Sequence, residues 1–125
     1  MVYIADVQKT YAMVLGAVLV LLGLAGFVSH PVLGIFGVNT AQNVLHLVGG
    51  ALVLWVASKG SAKSVNQWLG YIALVVGILG FVPGAKDLLA SIFAINASIT
   101  YLHVAVGVVS LLVAFGVKGE ASMAQ

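Results

Sequence analysis

Charge is what this sequence has least of. Its 125 residues include five basic and three acidic side chains, and 62% of them are hydrophobic. A soluble domain is typically about 45–50% apolar and about 25% charged. So few charges cannot cover the surface of a soluble fold of this length, and the composition points to a protein embedded in a membrane. Cysteine is absent, which excludes a disulfide framework and a thiolate metal site and leaves the redox compartment open. Arginine is absent as well, since every basic residue is a lysine. The chain therefore lacks the planar fork that grips phosphate or carboxylate in two places at once. A formal charge of +2 is also too small and too scattered to hold nucleic acid. No nucleophile elbow, phosphate loop, paired carboxylates or zinc signature occurs, so neither an enzyme nor a metal site is expected.

What is present is four long apolar runs. They cover about Tyr11 to Val28, about Thr40 to Ala57, Trp68 to Val82, and about Ser98 to Val117. A helix needs about 20 residues to cross roughly 30 Å of hydrocarbon, with a working range of about 17–25. The first, second and fourth runs reach that span directly, and the third does so by taking in Val65, Asn66 and Gln67. The first run is longer than the apolar stretch of a secretory signal, about 7–15 residues, and no A-x-A-like site follows it. It reads as a retained helix. The expected fold is all-α: a bundle of four transmembrane helices in a single integral membrane domain, residues 1–125.

The lysines suggest an orientation. Lys9, Lys59, Lys63 and Lys118 fall at one end of such a bundle and Lys86, beside Asp87, at the other. By the positive-inside rule both termini and the middle loop are expected in the cytoplasm. Trp55 and Trp68 flank that middle loop, where interfacial anchors belong. The outer connections are rich in apolar residues and are expected at the interface, partly as short amphipathic turns in which Leu88, Leu89, Ile92 and Phe93 share a face.

The two halves also match each other. At an offset of 54, Leu15, Gly16, Gly23, Gly26, Phe27 and Val28 meet the identical residues Leu69, Gly70, Gly77, Gly80, Phe81 and Val82. After a change of offset to 57, Asn39, Leu45, His46, Gly50 and Leu54 meet Asn96, Leu102, His103, Gly107 and Leu111. Apolar bias aligns leucines and valines by chance, but not the rare Asn and His in register with glycines. The repeats, about residues 11–58 and 66–117, hold two helices each and are expected to be parallel, related by a pseudo-twofold axis along the membrane normal. His46 and His103 then lie at equal depth. Each follows its Asn by seven residues, roughly 10 Å along a helix and within the outer half of the bilayer.

These motifs, a repeated G-x6-G-x2-G-F followed by N-x3-(N/T)-x2-H-x3-G, resemble a family of small four-helix bacterial integral membrane proteins known as a domain of unknown function, number four-three-eight-three. The resemblance runs from about Tyr11 to Ala114. It implies a bacterial or cyanobacterial membrane and a four-helix fold, and it implies no activity. The second half departs from the pattern at Thr100, where the first half has Asn43.

Read residue by residue, Asn39 and Asn96 stand where helices begin and suit the N-cap position, with Gln42 completing a pair like a capping box. Asn43, His46 and Gly50 follow on the same face, as do Thr100, His103 and Gly107. Polar groups at that depth are expected to point into the bundle. Their plainest role is an inter-helix cluster in which each imidazole bonds to a neighbouring helix and small residues let backbones approach. Their sharper role is ligation of haem or chlorophyll by His46 and His103, with Gly49, Gly50 and Gly107 leaving room for a ring. Gly16, Gly23, Gly26, Gly70, Gly77 and Gly80 form stripes for close packing, or a groove for a partner helix or lipid. No cofactor is the first expectation. The function expected is that of a non-enzymatic structural or accessory subunit that contacts lipid and other membrane subunits or its own copies. The alternatives are a haem- or chlorophyll-binding subunit of an energy-transducing complex and, third, a small transporter.

Overall fold

A computed structural model describes residues 7–117. Lys118, counted above toward the orientation, lies outside these residues. The described residues form five helices: α1 (Val7–Val28), α2 (Thr40–Ser58), α3 (Ala62–Leu79), α4 (Ala85–Phe93) and α5 (Ala97–Gly116). All but α4 are long and apolar enough to cross a membrane. The burial pattern agrees with a lipid surround. Leu21, Val28, Ile72, Leu112 and Phe115 are exposed, while the fully buried side chains include Gln8, Asn43, Asn66 and Ser110. Water would not tolerate such an apolar exterior, and hydrocarbon makes it favourable.

Two helix boundaries differ from the sequence expectation. The first helix is described from Val7, not from near Tyr11, and α3 runs from Ala62 to Leu79, three residues earlier at each end than the expected span of Val65 to Val82. In both, residues that look interfacial belong to the helix because they are paired. Asn66, fully buried, donates to the backbone carbonyl and to Oε1 of Gln8, at 3.0 and 2.9 Å. The connection after α3 also contains more order than a turn. Gly84, at φ 86°, starts the nine-residue helix α4, and Ala94, left-handed at φ 57°, ends it. Its apolar residues do not share one environment: Leu89 and Phe93 face inward, whereas Leu88 and Ile92 are exposed.

The helices pack as two hairpins, α1 with α2 and α3 with α5, with sparser contact between hairpins. Glycine sets the spacing within each. A methyl group built on Gly23 would stand 2.8 Å from the Asn43 carbonyl oxygen, and one on Gly50 would stand 2.7 Å from the Gly16 carbonyl oxygen. Gly77 and Gly107 are as tightly held, at 2.8 Å from the Val104 nitrogen and 2.6 Å from the Leu74 nitrogen. Gly16 and Gly70 face Leu54 and Leu111, and Gly26 and Gly80 face Asn43 and Thr100. Each glycine stripe is thus filled by the neighbouring helix of its own hairpin and offers no groove to a partner. Gly50 and Gly107 in particular leave no room for a ring.

Polar bonds join the hairpins at both ends. At the end carrying Lys9, Lys59 and Lys63, Gln8 Nε2 donates to the carbonyls of Val113 and Val117 at 2.7 and 2.8 Å, in addition to its bonds with Asn66. Beside it, the hydroxyls of Tyr11 and Ser110 are 2.6 Å apart. At the other end, Asn39 Nδ2 donates to the Ile92 carbonyl and Asn96 Nδ2 to the Ile35 carbonyl.

Candidate functional site

Between the two polar ends the hairpins part around a half-open cavity of about 700 Å³, among whose lining residues Leu52, Trp68 and Ile72 are exposed. Every helix contributes to its wall: Leu19 and Leu22 from α1, Leu52 from α2, Leu69 and Ile72 from α3, Phe93 from α4, and Leu102 from α5. The volume falls within the range of about 300–1,000 Å³ that holds a drug-sized molecule. Among the described residues no charged side chain lines it. The polar groups that reach it are Gln42, His46, His103 and the indole of Trp68.

The two imidazoles come together as their matched depth predicts, with ring centroids 6.3 Å apart and planes tilted by 48°. Asn39 and Asn96 set that depth. Each holds the extended backbone of an N-cap, and each side-chain oxygen accepts from a first-turn nitrogen, Gln42 N in α2 and Ile99 N in α5. Fixing both helix starts fixes the level of the histidine seven residues on.

The hydrogen-bond cluster expected around the histidines does not form. The Nδ1 atoms of His46 and His103 are buried and have no partner, and neither does the Asn43 amide. The reason is geometric. Asn43 faces Gly26 across its own hairpin, and Thr100 faces Gly80 in the same way. Neither is aimed at the other hairpin, and at the level of the histidines the gap between hairpins is the cavity itself. Nor does Gln42 complete a capping box. Its Nε2 bonds to the carbonyls of Gly37 and Phe93, so it ties α2 to the end of α4.

With Nδ1 of each ring shut away, the opposite edge of each imidazole is the part the cavity sees. A neutral imidazole has one N–H and one acceptor nitrogen. Placing the hydrogen on Nε2 leaves a donor free for a guest. Gly49 also lines the cavity, with no atom within 4 Å of where its side chain would grow. Among the described residues no three His, Cys, Asp or Glu side chains gather as a metal cluster would require.

Sequence reading missed Gln8, Asn66 and the Tyr11–Ser110 pair as links between hairpins. Their only signal was a polar side chain interrupting apolar surroundings near a helix end, which equally describes an interfacial residue. The role of Gln42 in holding α4 had no local signal, because the carbonyl it finds is 51 residues away.

The family described as Domain of unknown function (DUF4383) matches residues 9–116, nearly the whole chain. No curated protein and no solved structure matches it significantly.

Proposed function

The chain belongs to the DUF4383 family, and on that premise we propose that it is a non-enzymatic membrane protein that binds an apolar molecule in the cavity between its hairpins. One observation carries this reading: an apolar cavity of about 700 Å³ in which two imidazoles have no protein partner. Neither ring bonds to a described residue, and with Nδ1 buried it is Nε2 of each ring, at one level of one cavity, that is left for a guest. The accessory role expected from the sequence becomes that of a holder, keeping a molecule for other membrane components. Among the described residues no carboxylate or lysine lines the cavity, which supports binding without chemistry and disfavours an ion path.

The test is extraction. Protein purified in lipid nanodiscs and extracted with organic solvent should yield one apolar molecule, near one per chain and enriched over bulk lipid. Gly49→Leu, which fills the cavity, should lose it. If both proteins carry only bulk lipid, the reading is wrong.

The 6.3 Å imidazole pairing also favours a second reading, a haem or chlorophyll held axially by His46 and His103. An absorption spectrum decides it: a Soret or chlorophyll band must be present in the purified protein and lost in His46→Ala and His103→Ala. We further propose that a pseudo-twofold axis passes between the two imidazoles and that the end bearing Lys59 faces the cytoplasm. The reciprocal Asn39 and Asn96 bonds support the axis, and the lysine bias supports the orientation.

A further inference from the structure

We infer that the molecule held in the cavity is a neutral, lipid-like compound whose head is a carbonyl oxygen bound by His46 and His103 together. This rests on the binding reading above and adds the chemistry of the guest. Four observations lead to it.

The first is spacing. Rings with centroids 6.3 Å apart are too distant to bond each other. An N–H···O bond is about 2.9 Å long, so two of them meeting at one oxygen span up to about 5.8 Å. A centroid separation of 6.3 Å is compatible with one nitrogen of each ring reaching the same oxygen. A carbonyl oxygen has two lone pairs in one plane and takes two donors at once.

The second is charge. Among the described residues no ionised side chain lines the cavity. A cation or an anion placed there would be desolvated without a counter-charge, which costs several kcal/mol. A neutral acceptor meets two neutral donors with no such penalty.

The third is supply and demand. With the hydrogen on Nε2, each ring has a donor that no described residue accepts: Asn43 is turned toward Gly26, and Gln42, whose Oε1 is itself unpartnered, is tied by its Nε2 to Gly37 and Phe93. An oxygen brought by the guest can accept from both rings.

The fourth is length. The cavity continues past the histidines to Val56 of α2 and Trp68 of α3. Val56 lies ten residues beyond His46, about 15 Å along the helix axis. That limb has apolar walls and takes a hydrocarbon tail. A compact oxygen head on a long apolar tail is the form of a quinone or another ketone-bearing membrane lipid.

The experiment uses the full chain in nanodiscs of zwitterionic lipid, with nitrogen-15 in the histidine rings and tryptophan indoles. Two probes share one tail: decyl-1,4-benzoquinone carries the oxygen head, and decylbenzene lacks it. Trp68 reports on the cavity. Trp55, exposed and outside the cavity lining, controls for probe dissolved in lipid. Both probes should shift Trp68 beyond Trp55. The quinone alone should shift the ring nitrogens of His46 and His103, and it should bind at least about tenfold more tightly than decylbenzene. The double variant His46→Phe, His103→Phe should bind the two probes equally. If both probes shift Trp68 with equal affinity in the native chain and the imidazole nitrogens do not move, the carbonyl inference is overturned and the cavity reading stands. If neither probe shifts Trp68 beyond Trp55, the cavity reading itself fails. A haem or chlorophyll band that depends on both histidines would replace the carbonyl with a metal. The native-chain comparison is decisive even if the double variant does not fold.

Discussion

Asn39 and Asn96 make the same pair of bonds in opposite directions. Each caps its own helix through its side-chain oxygen, and each donates its amide across to the other hairpin, Asn39 to the Ile92 carbonyl at 2.8 Å and Asn96 to the Ile35 carbonyl at 3.0 Å. One residue type thus fixes the start of a helix and ties the hairpins together at the end of the bundle away from Lys59. The two jobs use different atoms and can be separated.

Asn39→Ser keeps a good cap and loses the cross-hairpin donor, whereas Asn39→Ala loses both. Capping is worth about 0.5–2 kcal/mol and an inter-helix bond in a membrane about 0.6–2 kcal/mol. In reversible unfolding in mixed micelles, Asn39→Ala should therefore be the less stable of the two. The double variant Asn39→Ser, Asn96→Ser should fall below either single serine variant. Equal stability of the serine and alanine variants would show that the cross-hairpin bond contributes nothing.

Gly26 and Gly23 should respond differently to alanine. The added methyl on Gly26 overlaps the Asn43 side chain, while on Gly23 it meets the Asn43 carbonyl oxygen and the Leu47 nitrogen, both at 2.8 Å. Overpacking costs about 1–3 kcal/mol. Asn43→Ala removes the obstacle to Gly26→Ala and should restore most of the lost stability. It leaves the backbone in front of Gly23, so Gly23→Ala should not be rescued. Thermal unfolding of the four variants checks this, and equal rescue at both sites would contradict the contact geometry.

At the opposite end, Gln8→Leu leaves buried Asn66 with only its bond to the residue-8 backbone carbonyl and removes the side-chain donor to the Val113 and Val117 carbonyls near the end of α5. Stranding a buried polar group costs about 1–3 kcal/mol. Adding Asn66→Leu removes the stranded amide, so the double variant should lose less than the two single losses combined. A double-mutant cycle measures this coupling. Strict additivity would mean that the two amides do not depend on each other.

Gly49→Leu is expected to spare the fold. Its side chain enters open space in the cavity, and replacing a helical glycine removes a cost of about 1 kcal/mol. The variant should melt no lower than the native chain and should lose the Trp68 shift with either probe. A large drop in melting temperature would place Gly49 in a packed contact instead.

The cysteine-free sequence makes the orientation directly testable. Lys59→Cys, in the connection between α2 and α3, should react with an impermeant maleimide only after the cytoplasmic face is opened. Ser91→Cys, on the exposed side of α4, should react in intact cells. The reverse pattern would invert the topology.

What the sequence alone determined is the part that depends on neighbours along the chain. Apolar runs specified spanning helices because hydrocarbon requires every backbone group to be paired within its own segment. Asn39 and Asn96 were legible as caps because a cap bonds three residues ahead. The equal depth of His46 and His103 followed from counting from those caps. Tertiary structure decided the rest. The glycine stripes face the neighbour within each hairpin, and Asn43 and Thr100 turn with them, so the histidines are left without partners. Gln8, Asn66 and Gln42 became links between hairpins because the groups they find, backbone carbonyls above all, carry no residue identity and leave no trace in a sequence. The cavity was the least legible feature of all. It exists because short polar bonds hold the hairpins together at both ends while bulky apolar side chains keep them apart between, and that balance is a property of the assembled bundle.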